Sequence, residues 1–159
     1  MGFDGIVGSD GAGIGVWIRS PFSALDKVPS NVRVCSYKLA FDCSNNEAEY
    51  EALIAGFKIL RKMKEKRIAV YGDSELVIKQ VKGEFQAKHP RMRAYRNAVL
   101  DILKLFSDHT LTCVPRIQNG IATKVASNLK IPMNSSNKFE IHVKHCPTVP
   151  DNQRCWQVF

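Results

Sequence analysis

Between residues 45 and 63, the apolar positions Ala48, Ala52, Ala55, Gly56, Ile59, Leu60 and Met63 recur at spacings of three and four, the period of one helix face. Ser44 followed by Glu47 is a capping box, so the pattern predicts a helix that starts at about Asn45. Glu51, Lys58 and Lys62 read as lying off the apolar stripe. Glu49 does not, because Leu53, Gly56 and Leu60 follow it on the same side of the helix. A carboxylate there needs a partner: either it reaches water at the stripe's margin, the commoner fate of a helical Glu, or it joins other carboxylates around a metal.

Ahead of this helix the period changes to that of strands. Residues 2–7 and 14–18 are short, apolar and β-branched or aromatic, with turn residues Gly8, Ser9, Asp10 and Gly11 between them, so they form a hairpin. The glycines here do not open a helix, which rules out a dinucleotide-binding loop. Residues 20–30 carry Pro21 and Pro29 and read as a connection, and residues 32–39 alternate as a third strand with Val32, Val34, Ser36 and Lys38 on one face. After the helix, residues 68–71 are a buried strand that ends at Gly72-Asp73-Ser74. Two further helices follow, one from Ser74 to Gly83 and one over residues 91–106. A fifth strand over residues 110–114 precedes a last helix that Asn119 could cap. The expected class is α/β: a mixed five-stranded sheet, three antiparallel strands and then strand–helix crossovers, with helices packed on it. From residue 130 the chain turns polar and proline-marked. An extended tail is expected there, with a strand allowed at residues 138–143.

Composition narrows the classes. The chain has 159 residues, 45% of them apolar and 24% charged, which suits one domain at residues 1–129 followed by the tail at 130–159. No apolar run is long enough for a membrane span and no signal segment is evident, so an intracellular protein is expected. Five cysteines without a repeated spacing point to reduced thiols. The net charge of +8 suits a polyanion. Lys79, Lys82, Lys88, Arg91, Arg93 and Arg96 cluster about residues 79–96, near Phe85 and Tyr95, and would track phosphates; a solvated helix face is the plainer alternative. His142, His145, Cys146 and Cys155 are metal-capable, but they match no regular zinc spacing and His142 and His145 fall on opposite sides of a strand.

Three acids stand apart: Asp4 in the first strand, Glu49 in the first turns of the main helix, and Asp73 at a strand's C-terminal end, each beside apolar residues. In a mixed sheet the first and fourth strands can be neighbours under that helix, which brings the three together. Carboxylates that close repel unless a cation lies between them, and hard oxygen ligands select Mg²⁺ or Mn²⁺.

The runs Phe3-Asp4-Gly5, Gly11-Ala12-Gly13-Ile14-Gly15-Val16, Ser44-Asn45-Asn46-Glu47-Ala48-Glu49-Tyr50, Tyr71-Gly72-Asp73-Ser74 and Pro115-Arg116-Ile117-Gln118-Asn119 together resemble ribonuclease H over about residues 1–129. The resemblance looks closest to the ribonuclease H domain of plant long-terminal-repeat retrotransposon polyproteins, and the tail to the linker before their integrase. It implies that Asp4, Glu49 and Asp73 are catalytic, metal-binding acids of an Mg²⁺- or Mn²⁺-dependent endonuclease that cuts the RNA strand of an RNA–DNA hybrid. It also implies nucleic-acid contacts at Asn45, Asn46 and Ser74, and a monomer beside neighbouring polyprotein domains. One position departs from the pattern. The last helix of the family carries a fourth acid, and Thr123 stands there in one alignment, while a second alignment removes about one helical turn after Ala122. Either way a metal ligand is lost, so two outcomes stay open: a weakened nuclease, or a nucleic-acid-binding module of the same fold. A partner-binding remnant is a third.

Overall fold

The computed structural model describes residues 1–19, 32–120 and 138–150. Three strands, β1 (Gly2–Gly8), β2 (Gly11–Arg19) and β3 (Val32–Leu39), form an antiparallel meander. Helix α1 (Asn45–Lys62) follows, then strand β4 (Arg67–Gly72), helices α2 (Glu75–Lys82) and α3 (Pro90–Leu103), and strand β5 (Asp108–Cys113). A 3-10 turn, Arg116–Asn119, succeeds β5, and a last strand, β6 (Lys138–Lys144), returns to the sheet. The order across the sheet is β5-β4-β1-β2-β3-β6, with β4 parallel to β1 and β5 parallel to β4.

The elements begin and end where local chemistry sets them. Ser44 caps α1 by accepting from the Glu47 N–H at 3.2 Å, and the Glu47 carboxylate takes the Ser44 hydroxyl in return. Ser74 caps α2, and α2 closes at Gly83. Helix α3 opens with Pro90, whose missing N–H costs nothing in a first turn, and it stops at Leu103, three residues short of the expected end. Phe106 still packs into the core from the following turn.

Helix α1 lies across the sheet and is buried almost all round from Ala48 to Leu60. Ile14, Val16 and Ile18 of β2, Tyr95 and Val99 of α3, and Phe106, whose ring lies tilted against Phe57, belong to the same core. Glu51 is therefore not off the stripe as the periodicity suggested. It is fully buried, because α3 and the segment after β6 cover the side of α1 that would otherwise face water.

Two expectations for the C-terminal part change. Among the described residues the sheet has six strands where five were expected: the strand allowed at residues 138–143 forms as β6 and joins the sheet, pairing in parallel with β3 from Arg33↔Lys138 to Leu39↔Lys144. Residues 144–150 then fold back onto α1 and α3 in place of an extended tail: Lys144 and Thr148 bind Glu51, and the Val149 and Pro150 carbonyls accept from Arg91. Backbone pairing to an open sheet edge and a buried carboxylate give this segment more favourable contacts than water does. The last helix expected from Asn119, together with Thr123 and Trp156, lies outside the described residues.

Candidate functional site

Phe3 of β1 is the register partner of Gly72 of β4, and each is followed at once by an aspartate, Asp4 and Asp73. Parallel pairing thus sets the two carboxylates side by side. The Phe3 ring lies over Gly72, where a side chain would strike it, so a residue with a Cβ at 72 would push β4 off β1 just before Asp73. Gly5 does the same for the third acid. A Cβ on Gly5 would run into the backbone of Ala48 and Glu49, so only glycine lets the first turns of α1 settle on β1 and bring Glu49 to Asp4.

The result is a cluster in which one oxygen each from Asp4, Glu49 and Asp73 lie within 4.8 Å of one another. Asp4 and Glu49 are buried and Asp73 is half-buried at the rim. One Asp4 oxygen accepts the Gly5 N–H at 3.0 Å, while its other oxygen, Oδ2, and Glu49 Oε2 are buried with no hydrogen-bond partner. Glu49 is pushed up to about 10, first by burial, then by Asp4 as hydrogen-bond partner and charge, with the Gly5 N–H opposing and Asp73 adding a little. Burial and the Asp4 charge also hold Asp73 above the usual carboxylate range, against the pull of Arg116. At such spacings two like charges repel by about 3 to 4 kcal/mol at an effective dielectric of about 20. Three ionised carboxylates need a cation, and two unpartnered buried oxygens on acids of one cluster fit a divalent ion held by hard oxygen ligands.

Two residues support this arrangement without having been singled out for it. Asn119 donates from Nδ2 to the Phe3 carbonyl at 2.8 Å, tying the 3-10 turn to the residue before Asp4. The helix that Asn119 was expected to cap lies outside the described residues; its burial, which the sequence does not reveal, is what lets it also brace β1. Arg116 faces Asp73 electrostatically from the start of the same turn.

The residues expected to meet nucleic acid divide into two groups. Asn45 and Asn46 stand in the first turn of α1, exposed and half-buried, and Ser74 directly follows Asp73, so these three border the carboxylates. Lys88 and Arg93 are exposed around the start of α3. Lys79 pairs with Glu75 at 2.6 Å and lies over Phe85, and Lys82 pairs with Glu84 at 3.5 Å, both on the surface. Arg91 is drawn into the fold instead. Its guanidinium binds Glu47 at 3.1 Å and the carbonyls of Val149 and Pro150, because the returning C-terminal segment presents acceptors where phosphate was expected. Tyr95 is likewise fully buried, hydrogen-bonded to Glu51, and offers no stacking surface.

The family model described as reverse transcriptase-like matches residues 2–129. Over 84 residues the chain is 37% identical to ribonuclease HI of Halobacterium salinarum, covering 53% of this chain and 42% of that protein. The chain thus spans less than half the length of this curated relative. The crystal structure of RNase H1 from the same archaeon superposes with a TM-score of 0.66 at 29% identity, covering 80% of this chain and 92% of that one. The N-terminal RNase H domain of a Mycobacterium tuberculosis protein gives 0.63 at 26%, covering 80% and 94%. Among the described residues no helix is long and apolar enough to cross a membrane. With a mixed sheet, an acid cluster at the β1–β4 junction and a family match over most of its length, the chain belongs to the reverse transcriptase-like family and carries a ribonuclease H-like domain.

Proposed function

We propose that this domain is a divalent-metal-dependent endonuclease that hydrolyses the RNA strand of RNA–DNA hybrids. The observation that carries the reading is the convergence of Asp4, Glu49 and Asp73, with two buried carboxylate oxygens left without partners. These three residues would hold Mg²⁺ or Mn²⁺, and a bound ion would supply water activation and charge neutralisation at a phosphodiester. The chain's own part is positional. Asp4 and Glu49 are fixed by β1 and by α1 seated on Gly5, and the half-buried Asp73 is the member of the three most open to an arriving strand. Asn45, Asn46 and Ser74 border that side with neutral hydrogen-bonding groups suited to sugar and base edges. Lys88 and Arg93 supply exposed positive charge for the backbone. The names of the relatives, ribonuclease HI and RNase H1, support the same class, and the sequence runs favour an origin beside plant long-terminal-repeat retrotransposon domains.

A second reading, binding of the hybrid without turnover, is favoured by Thr123 standing where a fourth acid is expected. A labelled RNA–DNA hybrid titrated with Mg²⁺ and with Mn²⁺ separates the two. Cleavage that Asp73→Asn abolishes supports the nuclease. Retained hybrid affinity with no cleavage in either metal sinks it in favour of the binding module.

A further inference from the structure

Strands β3 and β6 bring together a second set of metal-capable side chains, distant in sequence and independent of the acid cluster. Cys35 is the register partner of Glu140, and Tyr37 is the partner of His142, so all four side chains lie on the same face of the sheet. Cys35 Sγ stands 3.9 Å from Glu140 Oε2, and His142 Nε2 stands 3.0 Å from that same oxygen. A ligand atom from each of the three residues lies within 4.8 Å of the other two. We propose that Cys35, Glu140 and His142 form a separate cation site that takes a borderline divalent ion of the Zn²⁺ type and pins β6 to β3.

The geometry is close to what such an ion requires. Tetrahedral Zn²⁺ with bonds of ~2.3 Å to sulfur and ~2.0 to 2.1 Å to nitrogen and oxygen sets its ligand atoms about 3.3 to 3.6 Å apart. The observed 3.9 and 3.0 Å straddle that range, and the third pair, Cys35 with His142, lies within 4.8 Å and closes by at most about 1.2 Å through rotation of the exposed His142 side chain. Two neighbours already orient the ligands from outside the set. Arg33 holds the other carboxylate oxygen, Oε1, at 2.8 Å, which turns Oε2 toward Cys35 and His142. Tyr37 stacks on the His142 ring at 4.9 Å between centroids, fixing its plane. Three protein ligands leave a fourth position for water. A thiol, an imidazole and one carboxylate make a softer set than the three carboxylates of the other cluster, so the two sites select different ions. Binding is a proton exchange: the thiol proton leaves to solvent as sulfur takes the metal. The expected zinc spacings did not reveal the set because its members lie on two strands far apart in sequence.

Co²⁺ added to the full chain is the test, since thiolate ligation produces an absorption band that carboxylate ligation does not. One equivalent should develop the band, and Zn²⁺ should bleach it. The band should vanish in Cys35→Ser and weaken, with affinity lower by about tenfold or more, in His142→Gln. His142 is exposed, so its variant folds even where loss of the buried Cys35 thiol disturbs the sheet. Asp73→Asn, Cys113→Ser and Cys146→Ser should each leave the band intact. Absence of the band at stoichiometric Co²⁺, or its persistence in both Cys35→Ser and His142→Gln, overturns the proposal.

Discussion

Lys144, at the end of β6, reaches Glu51 in the middle of α1, Nζ to Oε2 at 2.6 Å, and this pair fastens the C-terminal strand to the central helix. Glu51 is otherwise enclosed. Its oxygens also accept the Tyr95 hydroxyl and both the N–H and the hydroxyl of Thr148, all at 2.6 to 2.7 Å. Burial alone would raise this carboxylate; the Lys144 charge and the Thr148 bonds outweigh it and hold Glu51 below the usual range. Its stabilising effect is therefore complete above the unfolded carboxylate value and is lost as pH falls through the lower folded one.

Lys144→Met should cost about 3 kcal/mol near pH 7, because it leaves a buried charge without its counterion. Glu51→Gln in the same chain should recover part of that loss, since a neutral amide still accepts from Tyr95 and Thr148. Urea unfolding of the two single variants and the double variant gives the coupling directly. Additive losses would show that the pair does not fasten β6. A chain cut after residue 129 removes Lys144 and Thr148 together, and should unfold at lower urea than the full chain by at least the Lys144→Met increment.

Glu49 calls for the opposite dependence. Its value in the folded state, about 10, lies above that of an unfolded carboxylate, so the folded chain holds a proton that the unfolded chain releases. Stability from this group is fully present below the unfolded value and declines as pH rises toward 10. In metal-free buffer at pH 8, Glu49→Gln should therefore stabilise the fold by on the order of 2 kcal/mol, with the advantage fading as pH approaches 4.5. Adding Mn²⁺ should reverse the ranking, because the ion favours the ionised form that glutamine lacks. Melting temperatures with and without metal check both halves; a pH-independent difference between the two chains contradicts the assignment.

How much of this was legible depended on the range of the contacts involved. Asp4, Glu49 and Asp73 could be placed because strand ends, a serine cap and a helical period are local signals, and the paired Phe3 and Gly72 carry two of the acids into register. Gly5 and Asn119 were opaque, as their roles rest on backbone approach and burial. Glu51 was misplaced for a related reason: its partner Lys144 is 93 residues away, and no periodicity in α1 announces a cover supplied by another segment. The sequence allowed a strand at residues 138–143, but the parallel pairing of that strand, β6, with β3 is non-local in the same sense, and with the pairing went its place in the sheet and the Cys35 cluster. Side-chain pairing also divided the basic residues, for charge count says nothing about whether Arg91 faces Glu47 or solvent.

That division makes a measurable distinction for hybrid binding. Replacing exposed Lys88 and Arg93 with alanine should flatten the log–log dependence of affinity on salt by about 0.7 to 0.9 for each phosphate no longer neutralised, with stability unchanged. Arg91→Ala should do the reverse, lowering stability by about 1 to 2 kcal/mol through Glu47 and the two carbonyls while leaving the salt slope alone. Fluorescence anisotropy over a salt series, beside urea unfolding, reads both. A slope that falls with Arg91→Ala and not with the exposed pair would place the phosphate path elsewhere.

The ribonuclease H resemblance leads one to expect a fourth acid beside this cluster. Asp4, Glu49 and Asp73 supply three carboxylates, and in one of the two alignments Thr123 stands at the position of the fourth acid. With one ligand fewer, an ion that gives up its water readily is held better than one that keeps it, so hybrid cleavage should be supported by Mn²⁺ at lower concentration than Mg²⁺. Thr123→Asp should lower the half-saturating concentration of both ions, about tenfold if the new carboxylate ligates directly, and should narrow the gap between them. If the sequence has instead lost one helical turn after Ala122, the point change does nothing and a four-residue insertion beginning with Asp after Ala122 restores the response. Metal titrations of cleavage by the three chains decide between the alignments. Wild-type cleavage that saturates equally well with both ions, unaltered by either change, would show that three acids suffice and that the fourth position carries no metal in this protein.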